Sequence, residues 1–240
     1  GSRYRLDLER SIETIDSIDR LNTRPNTPDN SHDTRSRLLE AAGQTFAELG
    51  FRATTVREIC GRAGANIAAL HYHFGDKERM YAAVLADTAK QALERYPIGG
   101  GVPSEAPAEA RLEAFIRSYM ERLLDEGRPA WFGQLLAREM FEPTAALDEL
   151  ARAFARPQFE RLAAIVRELA GPRADEPLVR RCCMSIVGQC LFYKHARPMM
   201  ERIVPQQGLG PHDRAELAAH IHAFSMAAIR GLRGAKEAGA

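Results

Sequence analysis

Apolar side chains recur at intervals of three and four along most of this 240-residue chain, and no stretch shows the period-two alternation of β-branched residues that a strand requires. Segments 108–126, 144–170, 177–195 and 213–232 each carry that spacing, and each predicts a helix with one apolar stripe. Gly and Pro interrupt the pattern at 97–107 (PIGGGVPSEAP), 171–177 (GPRADEP) and 205–211 (PQQGLGP), where the loops should lie. The expected fold class is therefore all-α. A chain of this length accommodates one large domain or two smaller ones. The breaks suggest an arm over 1–33, a domain over 34–95, a linker loop over 96–107 and a second domain over 108–240.

Composition narrows the class further. With 45% apolar and 27% charged residues and no apolar run near 18 residues, no transmembrane helix is expected. Four cysteines (Cys60, Cys182, Cys183, Cys190) without a CxxC pair do not make a disulfide scaffold, and together with the absence of a secretory signal they suggest a cytoplasmic protein. Gly1 and Ser2 read as remnants of a cleaved tag. The net charge of +1, from 33 basic and 32 acidic groups, neither demands nor forbids a polyanionic partner. Residues 3–33 open with a possible amphipathic stretch (Leu8, Ile12, Ile15, Ile18, Leu21) and end in a polar segment too poor in apolar residues to pack, which suggests a mobile arm.

From Thr34 the pattern sharpens. Leu38, Leu39, Ala42, Phe46 and Leu49 share a helical face that Gly50 ends. Thr55 and Glu58 stand at the spacing of a capping box, opening a short second helix to Ala63. Gly64 supplies a tight turn and Asn66 opens a third helix through Phe74, so two short helices flank a glycine as in a helix-turn-helix. A long fourth helix follows from about Lys77 to Arg95, with Met80, Tyr81, Val84 and Leu85 inward.

The string TFAELGFRATTVREICGRAGANIAALHYHFGDKERMY resembles the N-terminal domain of the TetR family of bacterial transcription regulators, through Phe46, Gly50, Thr54, Thr55, Val56, Ile59, Ala63, Gly64, Leu70, Tyr72, His73, Phe74, Lys77 and Glu78. Small residues Ala65, Ala68 and Ala69 suit a helix entering a major groove about 12 Å wide. Arg57 sits where the resemblance implies a base-reading arginine, able to bond guanine O6 and N7 together. Asn66 either caps its helix or presents its amide to an adenine edge, and Ala69 is placed to meet a thymine methyl. By resemblance His71 faces groove or backbone, Tyr72 offers its hydroxyl to a phosphate and His73 is partly structural. Thr55 and Lys77 stand at helix starts, where amides and the positive dipole end attract phosphate. Ile67 departs from the polar side chain many relatives carry there. Segment 34–95 holds nine basic and seven acidic residues, so the helical geometry and not the charge points to DNA.

The second domain is expected to sense and to dimerise. Tyr119, Trp131 and Phe132 concentrate aromatics near Gln134, Leu135 and Arg138, and an aromatic lining with a few polar groups suits a small ligand; Met184, Gln189 and Tyr193 are further candidates or core. The stretches ARPQFERLAAIVRELAG and SIVGQCLFYKHARPMMERI, within about 129–205, resemble a TetR subgroup linked to drug and toxicant response, which implies an antibiotic-like or amphipathic inducer. By the family's habit the last two helices pair across a two-fold; Cys183, Val187, Cys190 and Leu191 on one helix and Leu217, Ile221, Phe224 and Ala228 on the other are the candidate faces. The function expected is that of a homodimeric repressor, released from a palindromic operator in double-stranded DNA by a small-molecule inducer. A different reading has Cys182, Cys183 and Cys190 sense oxidants or, with His195, His220 and His222, bind a metal. No motif of a hydrolase, nucleotide-binding enzyme or zinc protease occurs, so neither catalysis nor a cofactor is expected.

Overall fold

A computed structural model describes residues 28–125, 130–206, 208 and 210–238 of the chain. The described regular structure is helical throughout: α1 (Pro28–Ala53), α2 (Val56–Ala63), α3 (Ile67–Phe74), α4 (Lys77–Arg95), α5 (Ala108–Leu124), α6 (Ala130–Phe141), α7 (Ala146–Leu150), α8 (Arg156–Ala170), α9 (Glu176–His195), α10 (Arg197–Ile203) and α11 (Pro211–Ala238). A π-helical turn, Ala151–Ala155, joins α7 to α8. It ends two residues before Pro157, which has no N–H to give to the preceding turn.

These helices form two compact units. One gathers 28–92 with segment 130–155; the other gathers 93–125 with 156–238. Segment 130–155, which the apolar spacing groups with the second domain, thus belongs to the N-terminal unit.

In the N-terminal unit, Leu38, Phe46, Ile59, Leu70, Met80, Tyr81 and Leu85 from α1 to α4 make a core that also takes in Leu135 of α6. The Phe46 and Tyr81 rings meet edge to face at 4.8 Å. Helix α1 starts at Pro28, six residues ahead of the expected Thr34, because its first turns carry no apolar residue for a periodicity to reveal. The helix breaks at Gly50 (φ 82°, ψ 166°), and Leu49 beside the break is 42% exposed, off the inward face predicted for it.

The C-terminal unit is built on α5, α8, α9 and α11, which pack together through Leu112, Ile116, Met120, Leu162, Val166, Val179, Ile186 and Ile221. Segment 96–107, expected to be a linker, is docked on α5. Ile98 is buried, Ser118 Oγ donates to Pro97 O at 2.5 Å, and Gly100 (φ 56°) comes so close that a Cβ there would stand 2.8 Å from Ala114 O. Only glycine fits that approach. Arg122 is buried with it, donating to Tyr96 O at 2.5 Å, Ser118 Oγ at 2.8 Å and Gln158 Oε1 at 2.9 Å. Helix α10 is absent from the apolar spacing because Pro198 reads as a breaker; it falls in the first turn, where a missing N–H costs nothing.

Candidate nucleic-acid interface

Three local devices set the geometry of α2 and α3. Thr55 and Glu58 close the capping box: Thr55 Oγ1 accepts from Glu58 N at 3.2 Å and Thr55 N donates to Glu58 Oε2 at 2.8 Å. The Thr55 N–H and, after it, the Thr55 hydroxyl donate to the Glu58 carboxyl and hold it below its usual range. Gly64 then adopts the left-handed conformation (φ 60°, ψ 36°) that ends α2 and turns the chain. Asn66 caps α3, its Oδ1 accepting from Ala69 N at 2.7 Å. Of the two roles open to Asn66, the cap is made, and an adenine contact through both amide atoms would have to share that oxygen.

Helix α3 buries Leu70 and Phe74 and turns Ile67, Ala68, His71 and Tyr72 outward. Ala65 and Ala69, the latter predicted to meet a thymine methyl, are half-buried against the core. His71 Nδ1 is bonded to Gly75 O; a carbonyl only accepts, so Nδ1 carries the proton and Nε2 faces away from that bond. Tyr72 is 56% exposed, its ring edge against His73 at 5.0 Å. His73 is half-buried, and burial, followed by the positive charge of Arg35 and His32, lowers its pKa. The Arg57 guanidinium is exposed on the first turn of α2 and makes no ion pair or hydrogen bond among the described residues.

Lys77, expected to clamp a phosphate, is engaged within the protein itself. Its Nζ donates to Phe51 O and Thr54 O, both at 3.1 Å, and sits 4.5 Å from the Phe51 ring centre. The side chain ties the start of α4 to the last turn of α1 and the loop ahead of α2. The two carbonyls lie 26 and 23 residues back in the chain, out of reach of local pattern reading.

Two short helices around a left-handed glycine, with an outward second helix, form a helix-turn-helix. Residues 38–84 match the family described as bacterial regulatory proteins, tetR family, and residues 108–232, just over half the chain, match the C-terminal domain of the HTH-type transcriptional dual regulator CecR. The chain belongs to the TetR family. CecR of Shigella flexneri is 27% identical over 67% of this chain and 75% of its own length. The transcriptional repressor KstR2 of Mycolicibacterium smegmatis is 40% identical over 30% of this chain, and the match spans only 35% of that repressor. In fold, the fatty acid degradation regulator FadR of Bacillus halodurans aligns with a TM-score of 0.58 at 14% identity, covering 85% of this chain and 97% of its own. The protein is thus a DNA-binding transcription regulator of the TetR type. No helix among the described residues is long and apolar enough to cross a membrane.

The residues predicted to bind an inducer in this TetR protein are divided between the two units. Leu135 is fully buried in the core of the N-terminal unit, and Arg138 of the same helix donates to Glu48 O at 3.0 Å, while Gln134 is exposed. Tyr119 is in the C-terminal unit, stacked on Phe115 at 5.9 Å and under the Arg122 guanidinium, with burial pushing its hydroxyl up to about 12. Gln189 donates to Ser185 O and Ser225 Oγ, Tyr193 packs against the core, and Met184 is 61% exposed. The side chains of Trp131 and Phe132 lie outside those described. A cleft of about 250 Å³ opens elsewhere, between α1 and α4, lined by Leu39, Glu40, Val84, Asp87 and Gln91 among others.

The faces predicted to pair on the last two long helices are partly taken up by the protomer's own core. Cys183, Cys190, Leu217 and Ile221 are buried within the protomer's own core, and Val187 and Leu191 are half-buried. The outward rows are Met184, Gly188 and Phe192 on α9, and Phe224, Ala228 and Leu232 on α11. Only Phe224 and Ala228 of the predicted set remain on the surface. Apolar residues populate two adjacent rows of each helix, and periodicity does not say which of them the protomer keeps for itself.

The buried thiols bear on redox sensing. Burial pushes Cys183 and Cys190 up to about 12 and raises Cys60 and Cys182. The reactive species is the thiolate, which such surroundings suppress. No three metal-ligating side chains come together among the described residues.

Proposed function

We propose that the protein is a homodimeric repressor that binds a palindromic operator in double-stranded DNA and is released by a small-molecule inducer. The observation that carries the DNA contact is the outward face of α3, with Ile67, Ala68, His71 and Tyr72 exposed, beside an Arg57 guanidinium on the preceding helix that makes no ion pair among the described residues. Dimerisation is supported by the exposed rows of α9 and α11. These two helices pack on each other and together present Met184, Phe192, Phe224 and Leu232 to solvent, more large apolar side chains than a lone protomer keeps wet without use. Two copies related by a two-fold would read half-sites about 34–36 Å apart.

An inducer of antibiotic-like or amphipathic character is the class the family resemblance favours. Its recognition is better supported around Tyr119 and Gln158, where polar groups are held inside an otherwise apolar bundle, than around α6. Ligand binding would shift the population between dimer geometries that fit and do not fit the operator. The exposure and protonation of the cysteines favour this over oxidant sensing.

The test is selection of bound fragments from sheared genomic DNA at fixed salt, with wild type and Arg57→Ala in parallel. A single enriched palindrome is expected for wild type, with base preference relaxed by about 1–3 kcal/mol at one position per half-site in the variant. Folded dimer that enriches nothing would overturn the proposal.

A further inference from the structure

We infer that Ile67 reads thymine 5-methyl groups, so that sequence choice at the first turn of α3 is made by apolar contact and not by hydrogen bonding. This rests on the DNA-binding reading above and adds the chemistry of its recognition. Three observations converge. Ile67 is 47% exposed on the outward face, where a side chain of a helix-turn-helix approaches the floor of the major groove. The polar group next to it, Asn66, has its acceptor oxygen committed to the Ala69 amide at 2.7 Å, and the other outward residue of that turn is Ala68. Finally, Ala69, the alternative partner for a methyl group, is half-buried against the core and so stands less far out than Ile67.

The surroundings fit a duplex as the occupant of this apolar face. From Cys60 to Gly75 the chain carries no carboxylate, while Arg52 and Arg57 are exposed nearby in sequence. The helix itself thus presents no like charge to a polyanion. In the major groove the feature of an A·T pair that an isoleucine can use is the C5 methyl of thymine, since the remaining edge groups need donors or acceptors. His71 and Tyr72, one turn further on, carry the polar groups of the outward face and are positioned for a sugar-phosphate rim.

The experiment uses full-length protein and the duplex that emerges from selection on a randomised library. Each thymine of one half-site is replaced in turn by deoxyuridine, which removes only the methyl group. Wild type should lose about fourfold in affinity at one or two positions, the equivalent of one buried methyl each. Ile67→Ala, at an exposed site that should not disturb the fold, should bind the thymine and deoxyuridine duplexes equally, and Ile67→Val should keep part of the difference. A deoxyuridine penalty that persists unchanged in Ile67→Ala, or no penalty in wild type, overturns the inference while leaving DNA binding intact. If selection enriches no sequence at all, the DNA-binding reading fails and this one with it.

Discussion

Tyr81 on α4 donates its hydroxyl to Glu139 Oε1 on α6 at 2.8 Å, a buried bond between residues 58 apart in sequence. Thr144 completes the shell around that carboxylate, its backbone N–H donating to Oε2 at 3.0 Å and its hydroxyl reaching both oxygens. The group is 1% exposed, so every lost donor leaves charge in a medium that cannot solvate it. Segment 130–155 is held in the N-terminal unit by this cluster, by Leu135 and by Arg138 on Glu48 O.

Tyr81→Phe should therefore lower stability by about 2 kcal/mol at neutral pH, the usual worth of a hydrogen bond to a charged group. Burial and the Glu139 contact raise the Tyr81 pKa above the ordinary tyrosine value. A raised pKa means that the stabilisation is complete below the unfolded-state value near ~10 and is lost as pH climbs beyond it. Urea unfolding at pH 8, 10 and 11 should show wild type falling more steeply than Tyr81→Phe over the last step. Parallel curves would mean that the bond contributes nothing to the linkage.

Lys77 separates bracing from phosphate binding. Lys77→Met keeps the stem but deletes the two bonds to Phe51 O and Thr54 O, and should cost about 1.5–3 kcal/mol of stability. Affinity for all sequences should fall through the loosened turn, yet the slope of log K against log salt should stay where it was. A slope reduced by about one per protomer would show that the ammonium reaches a phosphate after all.

The contrast between Thr55 and Lys77 shows what the chain discloses locally. The capping box, the left-handed Gly64 and the Asn66 cap are fixed by residues three or four apart, and their spacing announced the helix-turn-helix while leaving Asn66 open between a cap and a base contact. The partners of Lys77, the docking of Arg138 on a carbonyl 90 residues away and the entry of Leu135 into another core depend on tertiary packing that no window samples. On α9 the ambiguity is of a different kind, since the Cys183/Cys190 row and the Met184/Phe192 row are both apolar. Cysteine behaves as a small hydrophobe and took the interior.

That interior position has a chemical consequence. In native protein Cys183 and Cys190 should react with a thiol reagent only as fast as the chain opens, and all four thiols should appear at once on unfolding. Because burial raises these pKa values, the thiols favour the folded state below the unfolded-state value near ~8.5, and that contribution drains away as pH rises above it. Peroxide treatment at neutral pH should leave operator binding unchanged. Rapid labelling of Cys190 in folded protein, or DNA release by peroxide reversed with reductant, would restore the redox reading.

Phe224 offers the sharpest test of the dimer, because it is 60% exposed and its replacement removes nothing from the protomer's core. Phe224→Glu sets a charge on each side of a two-fold interface, where the copies would bring like charges together in a desolvated patch. The variant should keep its helical content and melting temperature at low concentration, sediment as a monomer, and lose at least about a hundredfold in operator affinity, the avidity of two linked half-sites. Ile221→Ala, one turn-face away but 1% exposed, should do the reverse, costing about 2–5 kcal/mol of stability while the surviving folded protein still pairs. If Phe224→Glu remains a dimer at micromolar concentration, the pairing surface lies elsewhere than on α9 and α11.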